Sequence, residues 1–184
     1  MNSIKEAKEK LQSLRTKTSF EKMVQVTAIL TKLLEPHRIR PIIVGGLAVE
    51  IYTRGDYTTV DIDLIVSDRE KAGQLLRQLG FTPSGRHWYH DELFVSVEIP
   101  NDMLEDADDD KVIELRLEDG FYVYVIGIED IILDRLRACV HWKSKSDCEW
   151  AKRMVLLHKE RLDWAYMKQV AKKDGTSEQL EQWF

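Results

Sequence analysis

The sequence predicts an α+β fold: a small mixed sheet flanked by helices, with a C-terminal helical lobe. Three observations carry this prediction. Two short apolar runs, residues 42–44 and 60–66, enclose a glycine pair and a helical stretch, which reads as strand, helix, strand. Two further pairs of alternating segments, His87–His90 with 94–99 and 112–118 with 122–126, read as hairpins. Beyond residue 127 the apolar residues recur at helical spacing. A boundary near Gly127 would divide the chain into residues 1–126, the sheet with its N-terminal helices, and residues 127–184, the helical lobe.

Residues 2–15 read as a polar amphipathic helix with Ile4, Ala7, Leu11 and Leu14 on one stripe. Thr18 and Glu21 have capping-box spacing and open the helix Ser19–Leu34, whose stripe is Met23, Val26, Ile29, Leu30, Leu33 and Leu34. Pro36 and Pro41 bracket the link into the first strand. After the second strand, residues 68–79 read as a helix with Ser67 as N-cap and Gly80 as its stop. Pro100 is expected to end the strand 94–99, and 101–110 to form an acidic loop. Helices follow over 128–142, 147–158, 163–171 and 177–183.

Bulk properties exclude several function classes. The 184 residues suffice for one domain with a core, or a domain plus a helical appendage. No apolar run approaches the ~20 residues of a membrane span, and the opening MNSIKEAKEK lacks the apolar core of a secretion signal. Cys139 and Cys148 are too few for a disulfide framework, so reduced thiols and a cytoplasmic location are expected. The net charge of −5 argues against indiscriminate nucleic-acid binding. Charge is uneven, however. Residues 91–134 hold 15 acids against 2 bases, and residues 135–173 hold 11 bases against 4 acids. A basic lobe of this kind could hold a triphosphate or an RNA strand, or be a solvated helix face.

The chemistry concentrates in IIVGGLAVEIYTRGDYTTVDIDLIV, residues 42–66. Gly45-Gly46 allows a tight turn and close approach of a ligand. A helix over 47–52 would aim its free N–H groups at that turn, which suits a phosphate. Asp61 and Asp63, two apart in a strand, share one face about 6.6 Å apart. Two such carboxylates repel unless a cation joins them. Mg²⁺ takes one or two protein carboxylates together with substrate phosphates. By itself the aspartate pair reads as the polar face of an edge strand beside an ordinary glycine turn; with the glycine pair upstream in this order, the pattern describes a metal and nucleoside triphosphate site. The family resemblance given below implies a third carboxylate on a neighbouring strand. Glu98 is the first choice, because Val95, Val97 and Ile99 alternate into the core and leave Ser96 and Glu98 on the other face. Glu114 is the alternative.

Other templates fail. Asp106, Asp108 and Asp110 start like a calcium loop, but Lys111 stands where glycine is needed and Leu117 where glutamate is needed. His87 and His90 would face opposite sides of a strand and cannot share a zinc ion. No P-loop or Gly-x-Gly-x-x-Gly occurs.

The run Val44-Gly45-Gly46 followed by Asp61-Ile62-Asp63-Leu64 resembles the nucleotidyltransferase superfamily, whose fold is that of DNA polymerase beta. It is nearest to the AbiEii-type toxins, the aminoglycoside nucleotidyltransferases and their small bacterial relatives. The likeness covers about 25 residues. Fourteen residues, 47–60, separate the glycines from Asp61, slightly more than the pattern has. Many relatives carry Arg-x-Thr-x-Asp-x-Asp. Here Thr59 fits, Tyr57 stands at the arginine position, and Arg54 lies three residues earlier. Residues 129–147 are also similar to AbiEii-type proteins, with Arg135 at a lysine position and Asp147 at an aspartate position of the nucleotide site. Arg135 could equally pair with Glu129 or Asp134, and Asp147 could cap its own helix.

The resemblance implies a Mg²⁺-dependent nucleotidyltransferase that moves a nucleoside monophosphate from an NTP to an acceptor hydroxyl or phosphate and releases pyrophosphate. Asp61, Asp63 and Glu98 would be catalytic and hold two Mg²⁺ ions. Gly45, Gly46, Arg54, Thr59, Arg135 and Asp147 would bind the nucleotide. The acceptor could be a small molecule, tRNA or a protein. The alternative is a non-catalytic module on the same fold, a pseudoenzyme or a toxin–antitoxin component with a protein partner.

Overall fold

The computed structural model describes residues 3–183. The helix α1 (Ile4–Ser13) buries Ala7 and Leu11, and the first residue of the stretch expected here, residue 2, lies outside the described part. The helix α2 (Ser19–Leu34) starts at a complete capping box, with the Glu21 N–H donating to Thr18 Oγ1 at 3.2 Å and the Thr18 N–H to Glu21 Oε2 at 2.9 Å. A cap of this kind contributes about 1 kcal/mol.

One seven-stranded mixed sheet follows: β1 (Ile42–Val44), β2 (Asp61–Ile65), β3 (Thr82–Ser84), β4 (His87–His90), β5 (Val95–Asn101), β6 (Ile113–Arg116) and β7 (Tyr122–Val125). Their order across the sheet is β3-β4-β5-β2-β1-β7-β6. The central strand β2 runs antiparallel to β1 and parallel to β5. Two helices connect the sheet, α3 (Gly45–Tyr52) between β1 and β2 and α4 (Arg69–Gln78) between β2 and β3. The remaining helices are α5 (Ile128–His141), α6 (Lys145–His158), α7 (Trp164–Asp174) and α8 (Ser177–Glu181).

Period-two patterning decides which side chains reach the core. Ile62 and Leu64 on β2 and Val95, Val97 and Ile99 on β5 are buried. Their neighbours Asp61, Asp63, Ser96 and Glu98 lie on the opposite face, only partly covered. One apolar core joins these strands to the stripes of α2, α4 and α5.

Several expectations need correction. The helix after the first strand begins at Gly45 rather than residue 47, so the glycine pair is its first turn. Strand β2 starts at Asp61, leaving Val60 exposed. Asp68, not Ser67, caps α4 by accepting the Lys71 N–H at 2.8 Å. Ser144, not Asp147, caps α6, because that helix starts two residues earlier than expected. The short strand β3 was not foreseen. Pro100 does not end β5, which continues to Asn101. The pairing with β4 stops at Glu98, so the missing N–H of Pro100 disrupts no ladder bond there.

The cysteines differ most from expectation. Cys139 and Cys148 form a disulfide with Cα atoms 4.7 Å apart. A tight corner between α5 and α6, with Lys143 at φ 55°, folds two helical segments back on each other. The local pattern marks both cysteines as helical but does not show that they meet.

Candidate active site

The site forms where β1 turns into α3 beside β2. Val44, the last residue of β1, pairs with Asp63. Gly45 has φ +58°, and a Cβ there would stand 2.2 Å from Asp63 Oδ2. Only glycine lets the chain pass so close to that carboxylate at this backbone angle. The Gly46 N–H donates to Asp63. A Cβ on Gly46 would meet Thr59 Oγ1 at 2.6 Å and Tyr57 Cε1 at 3.4 Å. Both glycines are thus places where backbone takes the space a side chain would fill.

The three acidic candidates come from two adjacent parallel strands. Asp61 is in register with Ser96, and Asp63 with Glu98. Burial, followed by the charges of Asp61 and Glu98, raises the Asp63 carboxyl to about 6. The Gly46 N–H and the Arg135 guanidinium oppose that rise. Asp61 accepts a hydrogen bond from Thr59 Oγ1 at 3.0 Å. Glu98 faces the β3–β4 turn, where Arg86 Nε lies 2.6 Å from Oε1 and His87 Nδ1 lies 3.8 Å from Oε2. The alternative acid, Glu114, lies on edge strand β6 and pairs with Arg116, with β1 and β7 between it and β2.

The remaining candidates separate into two groups. Thr59 lies between Gly46 and Asp61. Arg135 on α5 donates to Asp147 Oδ1 on α6 at 3.0 Å, and its Nε lies 3.6 Å from Asp134. It is close enough to Asp63 to influence that carboxyl. Arg54 does not join them. It is exposed in the turn after α3, with φ 56°, and its charge acts on His158 of α6.

Among the described residues, no three of His, Cys, Asp and Glu converge closely enough to ligate one ion. A closed protein cage therefore does not fit. Asp61 and Asp63 do fit an open site, because they are hard oxygen donors on one face whose mutual repulsion no direct ion pair neutralises among the described residues. Such a site suits Mg²⁺, which takes its other ligands from phosphates and water. Alongside, Gly45, Asp63, Met103, Asp130, Asp134 and Arg137 help to line a cleft of ≈ 330 Å³.

Two residues at this site went unnoticed in the sequence. Glu50 on α3 is 5 % exposed and accepts the Thr59 N–H at 3.1 Å. Its signal was present, since an acid inside the apolar run LAVEIY needs a partner. Arg86 gave no signal, because only the pairing of His87 with Glu98 brings it to the site.

Two solved structures share the fold. A crystal structure of an antigenic nucleotidyltransferase-like protein from Paracoccidioides brasiliensis is similar in fold, with TM-score 0.59 and 16% identity, covering 89% of this chain and 94% of that one. The solution structure of the antibiotic-resistance factor ANT(2'')-Ia is also similar, with TM-score 0.52 and 16% identity, covering 86% and 94%. No curated protein sequence matches the chain. The family model described as nucleotidyltransferase of unknown function (DUF6036) matches residues 21–183, nearly the whole chain. With the glycine turn, the Asp-x-Asp strand and the sheet order, this places the chain in that nucleotidyltransferase family.

Proposed function

We propose that the chain transfers a nucleoside monophosphate from an NTP to an acceptor hydroxyl or phosphate, with pyrophosphate as leaving group. The observation that carries this reading is the grouping of Asp61, Asp63 and Glu98 on one sheet face, beside a helix that starts at Gly45. Apart from the Gly46 N–H, which donates to Asp63, the first turn of α3 has N–H groups without helical partners, and these suit the triphosphate oxygens. Arg135, already close to Asp63, adds positive charge on the α5 side, and Asp147 orients its guanidinium.

Asp61 and Asp63 would hold Mg²⁺, and Glu98 would join them on leaving Arg86. When bound, Mg²⁺ would supply charge neutralisation at the transferring phosphoryl group and alignment for in-line attack. A carboxylate at Glu98 suits acceptance of the acceptor hydroxyl's proton as the new P–O bond forms and the bond to pyrophosphate breaks. The Arg86–Glu98 ion pair favours one other reading, a module that holds nucleotide without transferring it.

A pyrophosphate-release assay with each NTP, Mg²⁺ and total tRNA or small polyhydroxyl acceptors separates the two. Release by the parent chain that disappears in Asp61→Asn and in Asp63→Asn supports transfer. Release that persists in either variant would overturn it.

A further inference from the structure

Glu50 is an acid that the proposed chemistry does not use directly. It sits on α3, where Leu47, Ala48, Val49 and Tyr52 are all buried, and is itself 5 % exposed. A carboxylate in such surroundings requires a specific partner. Its partner is the Thr59 N–H, at 3.1 Å. Thr59 in turn directs its hydroxyl to Asp61 Oδ1, at 3.0 Å. Gly46 makes room for that hydroxyl, since a Cβ there would lie 2.6 Å from it. The segment between α3 and β2 is irregular over residues 53–60, so no strand or helix ladder fixes Thr59. The two aspartates are thus anchored by different means, Asp63 by the Gly46 N–H and Asp61 through Thr59.

We propose that Glu50 is a positioning residue for the cation site: it fixes the Thr59 backbone so that the Thr59 hydroxyl holds Asp61 in its ligating orientation. This rests on the functional reading above. Partners that orient metal-binding carboxylates typically change metal affinity about 10–100-fold when removed. Glu50 acts only as an acceptor here, so an amide oxygen at the same place does the same work. Because it acts through Thr59, its effect vanishes once the Thr59 hydroxyl is gone.

The test is titration of the whole chain with Mn²⁺ alone, read by paramagnetic relaxation of water, alongside thermal melts. Glu50→Ala is expected to weaken Mn²⁺ binding about tenfold, and Glu50→Gln to keep it near the parent value. Thr59→Val, which deletes the hydroxyl and keeps the shape, weakens it similarly. The double variant Glu50→Gln/Thr59→Val matches Thr59→Val alone, and Glu50→Ala/Thr59→Val loses no more. Should Glu50→Ala fail to fold, Glu50→Met, which keeps the bulk and removes the acceptor, takes its place: weakened binding supports the positioning role, and parent-like binding in either folded variant overturns it. Parent-like affinity in Thr59→Val, or fully additive losses in Glu50→Ala/Thr59→Val, would overturn the positioning role while leaving the cation site standing. A parent chain that binds no Mn²⁺ would overturn the functional reading, and this inference with it.

Discussion

Asp63 on β2 and Glu98 on β5 stand opposite each other in a parallel register, yet their carboxylates are held in different ways. Asp63 accepts the Gly46 N–H beside the glycine turn, and Glu98 pairs with Arg86 of the β3–β4 turn. This division sets what each substitution should do.

Asp63 titrates near 6, mainly because burial and then Asp61 and Glu98 disfavour its ionised form. In the metal-free chain the folded state therefore binds a proton that the unfolded state has already released. The sign follows from linkage: stability falls as pH rises from about 4 through about 6, and stays lower above that. Asp63→Asn should raise Tm at pH 8 by about 2–4 °C, the shift that roughly 1 kcal/mol produces in a chain of this size. The difference should close towards pH 4. Calorimetry of the two chains across pH checks this. In the parent, protons should also compete with Mg²⁺ as pH drops below about 6.

Gly45→Ala should be much more damaging than Gly55→Ala. Both positions have positive φ, +58° and +86°, so each pays about 1 kcal/mol for the left-handed backbone. Only at Gly45 would the new Cβ strike Asp63, since Gly55 has open space around it. Thermal melts and Mn²⁺ titration of the two variants should show lower Tm in both and lost metal binding in Gly45→Ala alone.

Arg86 pairs with Glu98 and is itself 65% exposed. The Glu98 side chain is only 13% exposed, but solvent screening at the exposed arginine keeps such a pair to about 1 kcal/mol. Arg86→Ala should therefore strengthen Mn²⁺ binding in the absence of nucleotide, by no more than about fivefold, the factor that such an energy sets. Weakened binding would show that Arg86 supports the site rather than competes for Glu98.

The Cys139–Cys148 bridge closes a loop of sequence separation 9 at the α5–α6 corner. Closing a loop this short stabilises by about 2–3 kcal/mol in the chain-entropy account. Reductant should lower the parent's Tm, and the Cys139→Ser/Cys148→Ser chain should melt at that lower temperature with or without reductant.

What the sequence made legible was local. The Thr18–Glu21 capping box, the alternation in β2 and β5, and the glycine pair before Asp61 each express themselves within a few residues. The architecture could be built from them, and the family likeness rested on the glycine pair with Asp61 and Asp63 and on residues 129–147. What was hidden depends on long-range pairing or on a single backbone angle. Arg86 reaches Glu98 only because β4 lies antiparallel to β5. Cys139 meets Cys148 only because Lys143 turns the chain at φ 55°. Arg54, expected at the nucleotide, stands exposed in the turn after α3 at φ 56°, a place that only the folded backbone reveals. Pro100 was a misleading signal, since a proline ends a strand only where its missing N–H has a ladder partner to lose.

The most direct measurement is titration of the chain with each NTP, with and without Mg²⁺, beside the Asp61→Asn/Asp63→Asn double variant. The account predicts nucleotide binding that requires Mg²⁺ and is lost in the folded double variant. Equal binding by the two chains, or no binding by a folded parent chain, would contradict it.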